Sequence, residues 1–196
     1  MKKIILASNS PRRKELLQNI GIDFEVIPDN TPEPMDARLL PCDMVKMLAK
    51  FKGENVLMSL YDWEEDAIII AADTVVSVDD TILGKPKSKD DAFEMLKLLS
   101  GRCHNVYTGV YVTEKSSKKS ANFYEKTEVF FKSLDITEIN DYINSGEPMD
   151  KAGSYGIQNL GSLFVEKING DYFNVVGLPV CRLGKVLAMD FGIKFI

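Results

Sequence analysis

Three features of the sequence predict a mixed α/β fold. Segments rich in β-branched and aromatic residues alternate along the chain with segments of helical pattern. The first apolar run, Ile4-Ile5-Leu6, leads directly into Ala7-Ser8-Asn9-Ser10-Pro11-Arg12-Arg13, the pattern of a strand feeding a turn and a helix start. The 196 residues, 45% hydrophobic and 27% charged, suffice for one substantial core with room for two lobes, and do not require two domains.

The elements follow in order. Residues 3–7 read as a strand and 12–19 as the helix after it, opened by Pro11, whose missing N–H costs nothing at the first helical position, and closed at Gly21. Residues 24–27 read as a second strand. The stretch 28–41 holds four prolines and few large apolar residues, so it reads as a loop that carries Glu33 near a cleft. A helix over 42–60 follows Pro41. Residues 67–72 form an apolar strand, and Val78-Asp79-Asp80-Thr81-Ile82 a tight hairpin with its acids at the tip. The helix over 88–99 opens on Ser88-x-x-Asp91 and ends at Gly101. Strands over 106–113 and 122–131 flank a polar hairpin tip at 116–120. A helix over 136–144 ends at Gly146, a strand over 162–167 follows, and Ile168-Asn169-Gly170-Asp171-Tyr172 reads as a turn.

Composition excludes several classes of function. A formal charge of −5 argues against a broad nucleic-acid or acidic-membrane surface, which needs clustered excess Lys and Arg, while leaving room for a local cationic pocket. Cys42, Cys103 and Cys181 lie far apart without Cys-x-x-Cys or zinc spacing, and read as reduced thiols of a cytoplasmic protein. The apolar run after Lys2-Lys3 is shorter than a signal-peptide core, and no segment approaches the ~20 apolar residues of a membrane span.

The opening stretch suits a phosphate. Ser8 and Ser10 offer hydroxyls beside a helix N-terminus, and Arg12 and Arg13 add forked cationic donors. It reads equally as an ordinary capped helix with exposed arginines. Consecutive residues diverge by about 100° on a helix, so Arg12 and Arg13 cannot point the same way but can flank an anion. Lys85, between Gly84 and Pro86, stands on a fixed turn with close backbone approach. Asp73 follows Ala67-Ile68-Ile69-Ile70-Ala71-Ala72 and is expected at the end of a buried strand, where open α/β sheets place functional groups; Asp73 and Thr74 also read as a cap. His104 has no Ser-His-Asp or Cys-His context and reads as structural, and Cys103 beside it should face the other side of its strand.

Five blocks carry a resemblance. They are Ser8-Asn9-Ser10-Pro11-Arg12-Arg13; Leu48-Ala49 with Lys52; Ala72-Asp73-Thr74-Val75-Val76 with Gly84-Lys85-Pro86; Leu99-Ser100-Gly101-Arg102 through His104 to Thr108-Gly109-Val110; and the run from Gly146-Glu147-Pro148 through Asp150-Lys151-Ala152-Gly153 and Tyr155-Gly156-Ile157-Gln158 to Val176-Gly177-Leu178-Pro179. In this order they resemble the Maf family of nucleoside triphosphate pyrophosphatases. The resemblance implies one Maf-like domain over residues 1–196, folded as an extended mixed sheet flanked by helices, with a central cleft between two lobes. It implies hydrolysis of dTTP and UTP, with modified pyrimidine nucleotides as further candidates, to monophosphate and pyrophosphate.

Site residues are implied one by one. Arg13, Lys52 and Lys85 would manage the polyanion; Ser8, Ser10 and Arg12 would bind it. Asp73 would serve as proton acceptor or as ligand to Mg²⁺ or Mn²⁺, two roles that stay open, with Glu33 as a second carboxylate. Without the resemblance, Lys52 reads as solvent-facing and Glu33 as solvated. Gln158 can read a pyrimidine edge through its amide, with Arg12 and Thr74 implied in base choice. Asn159 departs from the family's usual glycine, and asparagine is the residue best able to keep a left-handed backbone there. Glu147 and Asp150 stay outside the expected core site. The resemblance further implies a homodimer, a role in cleansing the nucleotide pool, and an association with septum formation, so a non-catalytic nucleotide-binding regulator is the alternative.

Overall fold

The computed structural model describes residues 2–34, 38–60, 66–79 and 81–194. Parts of two expected loops, residues 35–37 of the 28–41 stretch and Asp80 of the acidic hairpin tip, lie outside the described residues.

A seven-stranded sheet organises the chain. Strand β1 (Lys3–Leu6) lies between β2 (Glu25–Val26) and β3 (Ala67–Val78), parallel to both. Beyond β3 the sheet turns antiparallel through β5 (Cys103–Glu114), β6 (Ser120–Phe131) and β7 (Val165–Asn169), and the short β4 (Thr81–Leu83) folds back on the end of β3. This is a mixed sheet, and among the described residues six α-helices flank it: α1 (Pro11–Asn19), α2 (Pro41–Ser59), α3 (Lys89–Leu99), α4 (Ile136–Asn144), α5 (Tyr172–Val176) and α6 (Val180–Phe191).

The long β3 sets the plan of the core. Its side chains alternate between faces. Ile69 and Ala71 pack under α2 with Val56. On the opposite face Ile68, Ile70 and Ala72 meet Leu16 and Leu17 of α1 and Leu183 and Leu187 of α6. Farther along that same face Val76 and Val78 meet Leu96 and Leu99 of α3 and Ile139 and Ile143 of α4. Between the two apolar clusters stands Thr74. The two lobes are therefore helix groups seated on one face of one strand. The cleft opens at the edge of β3 left between its pairing with β1, which ends at Ile70, and with β4, which starts at Val76, where Thr74 faces the lobes and Asp73 faces α2.

Several expectations need correction. β3 continues past Ala72 to Val78, because Thr74-Val75-Val76-Ser77-Val78 is itself β-branched and alternating and pairs with β5 as far as Ser77↔Asn105. Asp73 is thus mid-strand, opposite Gly109, and not at a strand end. The 162–167 strand begins as a 3₁₀ turn, Asn159–Phe164, and extends only from Val165 to Asn169. Helix α6 is additional to the expected elements; its Leu183, Leu187 and Phe191 recur at helical spacing and bury against the first lobe. The short α5 is a second helix absent from the sequence expectation, sharing only Tyr172 with the expected 168–172 turn. It begins where the Asp171 side chain accepts from Phe173 N.

Candidate active site

Helix α1 builds the first wall of the cleft. Ser10 caps it, its Oγ accepting from Arg13 N at 3.5 Å, and Pro11 opens the first turn. The two arginines diverge as a helix requires. Arg12 reaches Asp150 at 3.4 Å on the far side. Arg13 turns inward: Nε donates to the Gly177 carbonyl at 2.8 Å, Nη1 to Ser8 Oγ at 3.1 Å and Nη2 to Thr74 Oγ1 at 3.0 Å. Burial pulls the Arg13 pKa below its ordinary value, and Asp73 opposes that shift. Gly177 follows α5 with φ 126°, and an added Cβ would stand 3.6 Å from Thr74 Oγ1 and 3.7 Å from Arg13 Nε. Those are ordinary contact distances, so it is the positive φ and not the space that calls for glycine here.

Helix α2 supplies the second wall. Gly109 on β5 lets it pack directly on the sheet, since a Cβ there would lie 2.2 Å from the Val45 carbonyl oxygen. Packed so, α2 delivers Lys52 to the centre. Its ammonium donates to Asp73 Oδ1 at 2.5 Å and pairs with Glu33 Oε1 at 2.9 Å. Asp29, on the loop before Glu33, accepts from Thr31 and from Asn55 Nδ2. Burial pushes its carboxyl up, but these hydrogen bonds outweigh burial and leave its pKa lowered.

The third wall comes from residues after α4. Glu147 accepts from the Tyr142 hydroxyl at 3.0 Å and from the backbone amides of Leu160 at 3.2 Å and Gly161 at 3.3 Å. The Tyr142 hydroxyl in turn accepts from Gly156 N at 3.3 Å. One Glu–Tyr pair thus holds the segment on both sides of Gln158. Asn159 next to it has φ 55°, the left-handed backbone anticipated for it. Lys85, exposed on the Gly84-Lys85-Pro86 turn after β4, makes no ion pair or hydrogen bond among the described residues. The Gly153 N–H donates to the Gly84 carbonyl at 3.0 Å and ties that turn to the same wall.

These walls enclose a cleft of ≈ 690 Å³. It is lined by Ser8, Ser10, Arg12, Arg13, Glu33, Lys52, Asp73, Thr74, Lys85 and Gln158 together, so every site residue expected from the sequence reaches one space. Such a volume suits a nucleotide-sized ligand. Its chemistry is that of an anion site with a carboxylate at its centre. Among the described residues no cluster of three or more His, Cys, Asp or Glu is arranged to hold a metal ion. Asp73 and Glu33 nonetheless converge on one cation, Lys52.

The family model for Maf-like protein matches residues 3–189. The chain belongs to the Maf family. The dTTP/UTP pyrophosphatase of Thermoanaerobacter sp. (strain X514) is 48% identical over 194 residues, 99% of this chain and 100% of that one. The dTTP/UTP pyrophosphatase of Bacillus cereus (strain G9842) is 51% identical over 187 residues, 95% of each chain. Among solved structures, the Staphylococcus aureus Ham1 protein gives a TM-score of 0.42 at 15% identity, over 66% of this chain and 72% of its own.

The Maf chain also uses residues that sequence reasoning passed over. Asp29 carries a signal, the Asp29-x-Thr31 side-chain turn, but nothing in the sequence ties it to a cleft. Gly177 and Thr108 lie inside the quoted blocks without an assigned task. Thr108 is fully buried and meets both Thr74 and the Asn174 carbonyl at 2.9 Å. Glu147 and Asp150, left outside the site, hold Gln158's segment and Arg12 respectively. His104 and Cys103 behave as expected: His104 is buried against Tyr155 at 2.7 Å and Cys103 is exposed on the other side of β5.

Proposed function

We propose that this Maf protein, working as one domain over residues 1–196, hydrolyses dTTP and UTP to the nucleoside monophosphate and pyrophosphate. The observation that carries the reading is the pairing of Asp73 with Lys52 in the floor of a cleft that Arg13 and Lys85 also line. The names of the relatives support the base choice.

Water must attack the α-phosphorus as pyrophosphate departs, so the protein has a proton to accept and a growing negative charge to offset. Lys52 holds Asp73 through Oδ1, which leaves Oδ2 to accept the water proton. Arg13 is fixed by three acceptors, and its outward N–H groups meet the phosphate chain without reorganising. Lys85 is exposed and uncommitted, suited to follow the charge onto the leaving group. Ser8, Ser10 and Arg12 bind the polyphosphate, while Gln158 and Thr74 meet the base.

Two hard carboxylates converging on one cation fit a divalent ion of the Mg²⁺ or Mn²⁺ type, which takes one or two protein carboxylates and completes its shell with phosphate oxygens and water. Asp73 and Glu33 would hold it, and when bound it supplies charge compensation to the phosphates. The same reading takes the enzyme to be cytoplasmic, homodimeric and a cleanser of the nucleotide pool. Its cysteines are free, no helix among the described residues is long and apolar enough to cross a membrane, and exposed Leu160 and Leu163 offer apolar surface to a second copy.

A triphosphate panel with Mg²⁺ or Mn²⁺, its products separated chromatographically, tests the reading. Monophosphate plus pyrophosphate from dTTP and UTP is the expected result, with kcat lowered about 10²- to 10⁴-fold in Asp73→Asn. Diphosphate plus phosphate would refute the regiochemistry. Binding without hydrolysis would favour a regulator.

A further inference from the structure

Two hydroxyl groups flank the Arg13 guanidinium, and the surrounding hydrogen bonds decide where each sends its proton. Arg13 donates to both oxygens, Ser8 Oγ at 3.1 Å and Thr74 Oγ1 at 3.0 Å. Behind Thr74 the network runs into the core. Thr74 Oγ1 lies 2.9 Å from Thr108 Oγ1, which lies 2.9 Å from the Asn174 carbonyl oxygen. A carbonyl only accepts, so Thr108 commits its single proton to Asn174. The proton between the two threonines therefore belongs to Thr74. Thr74 donates inward and accepts from Arg13, and what it has left for the cleft is a lone pair.

Ser8 has the opposite polarity. Its oxygen accepts from Arg13 and also from the Ser10 backbone N–H at 3.2 Å, so both lone pairs are engaged and its proton is the group left to give. Phosphate oxygens, which only accept, are matched by Ser8 and by the outward N–H groups of Arg13. They are mismatched to Thr74. The part of a nucleotide that meets Thr74 has to bring a hydrogen.

We propose that Thr108, buried and outside the cleft, is a positioning residue for base choice: by fixing Thr74 as a pure acceptor it favours a ring that presents N3–H, as uracil and thymine do, over a ring that presents an N3 lone pair, as cytosine does. This rests on the pyrimidine nucleotide reading above. It adds to it a residue that touches no ligand and a polarity that side-chain identity alone does not reveal, because a threonine hydroxyl can ordinarily donate or accept.

Thr108→Val removes the acceptor for Thr74 and frees the Thr74 proton to turn towards the cleft. Thr108→Ser keeps the hydroxyl and should behave as wild type, which separates polarity from packing. Calorimetric titration of UTP and CTP without added metal reads the ratio of Kd values, and turnover is measured in parallel. The wild-type chain should bind UTP at least about tenfold more tightly than CTP. In Thr108→Val that ratio should collapse to within about threefold, and in Thr108→Ser it should return. Thr108→Ala frees the same proton and carries the comparison if the valine variant does not fold. An unchanged ratio in the valine or alanine variant, a ratio lost in the serine variant, or no preference in the wild type overturns the proposal. Absence of hydrolysis with the Kd pattern intact counts against the pyrophosphatase reading and not against Thr108.

Discussion

Arg13 and Lys85 are both cations of the cleft, yet they stand in it differently, and the difference is measurable. Arg13 is bonded to the Gly177 carbonyl, Ser8 and Thr74, so it joins α1, β3 and the turn after α5 as well as facing the ligand. Lys85 is exposed and makes no bond among the described residues. Arg13→Ala and Lys85→Ala should each lower kcat/KM for dTTP by at least about 100-fold, as the loss of a charge that offsets the polyphosphate does. Only Arg13→Ala should also lower stability, by about 2 kcal/mol, because it strands buried acceptors. Urea unfolding beside steady-state kinetics checks this, and equal stability of the two variants would refute the anchoring role. Both residues were legible in the sequence as cations near a turn. Their division of labour was not, since it depends on Gly177, 164 positions away in the chain from Arg13.

Helix α2 shows how far an element's function rests on one contact. It lies on the sheet at Gly109, and a Cβ there would meet Val45 O at 2.2 Å, Val45 C at 2.4 Å and Lys46 N at 2.8 Å, all backbone atoms that cannot rotate away. Gly109→Ala must therefore lift the helix. The expected cost is about 1–3 kcal/mol. Because the same helix carries Lys52 to Asp73, kcat should fall with it, although position 109 touches no substrate. A variant with wild-type stability and turnover would show that α2 can slide without consequence. The sequence disclosed α2 through its length and apolar residues, and α1, α3 and α4 through their caps. It hid α6 in a stretch where Val180, Leu183 and Leu187 follow a proline and look like the tail of a turn. It also shortened β3, because a polar Asp73-Thr74 pair interrupts the apolar run just past the middle of a strand that continues to Val78. The interruption is the site itself.

At the scale of the molecule, two apolar lobes share one sheet face and the cleft is their seam. Net charge and composition say nothing of that seam. It follows from β3 being long enough to carry both clusters, with Thr74 between them and Asp73 turned to α2 on the other face. The second lobe holds a titratable group without a role in the cleft: His104, buried among Phe131 and Tyr155, with Nε2 hydrogen-bonded to the Tyr155 hydroxyl and Nδ1 unpartnered. Burial pulls its pKa from the ordinary 6.5 down to about 4. Between those values the unfolded chain takes up a proton that the folded chain does not, so acid favours unfolding. The stability that goes with the neutral ring is intact above about pH 6.5 and is lost as pH falls through about 4. The loss amounts to about 3 kcal/mol. His104→Phe removes the titration while keeping an aromatic ring in the cluster. It leaves the Tyr155 hydroxyl without its partner, but burial drives that phenol's pKa upward, so the added penalty does not vary across this range. Urea unfolding at pH 7, 5.5 and 4 should show the variant less stable than wild type at pH 7 and losing less stability on acidification. Parallel curves for the two proteins would mean that acid enters the molecule elsewhere. Because the folded chain keeps His104 neutral down to about pH 4, nucleotide binding by the folded protein should stay level between about pH 6.5 and 5, although Tyr155 lines the cleft as well as the second lobe; a loss of binding in that range would place the titrating group in the cleft itself.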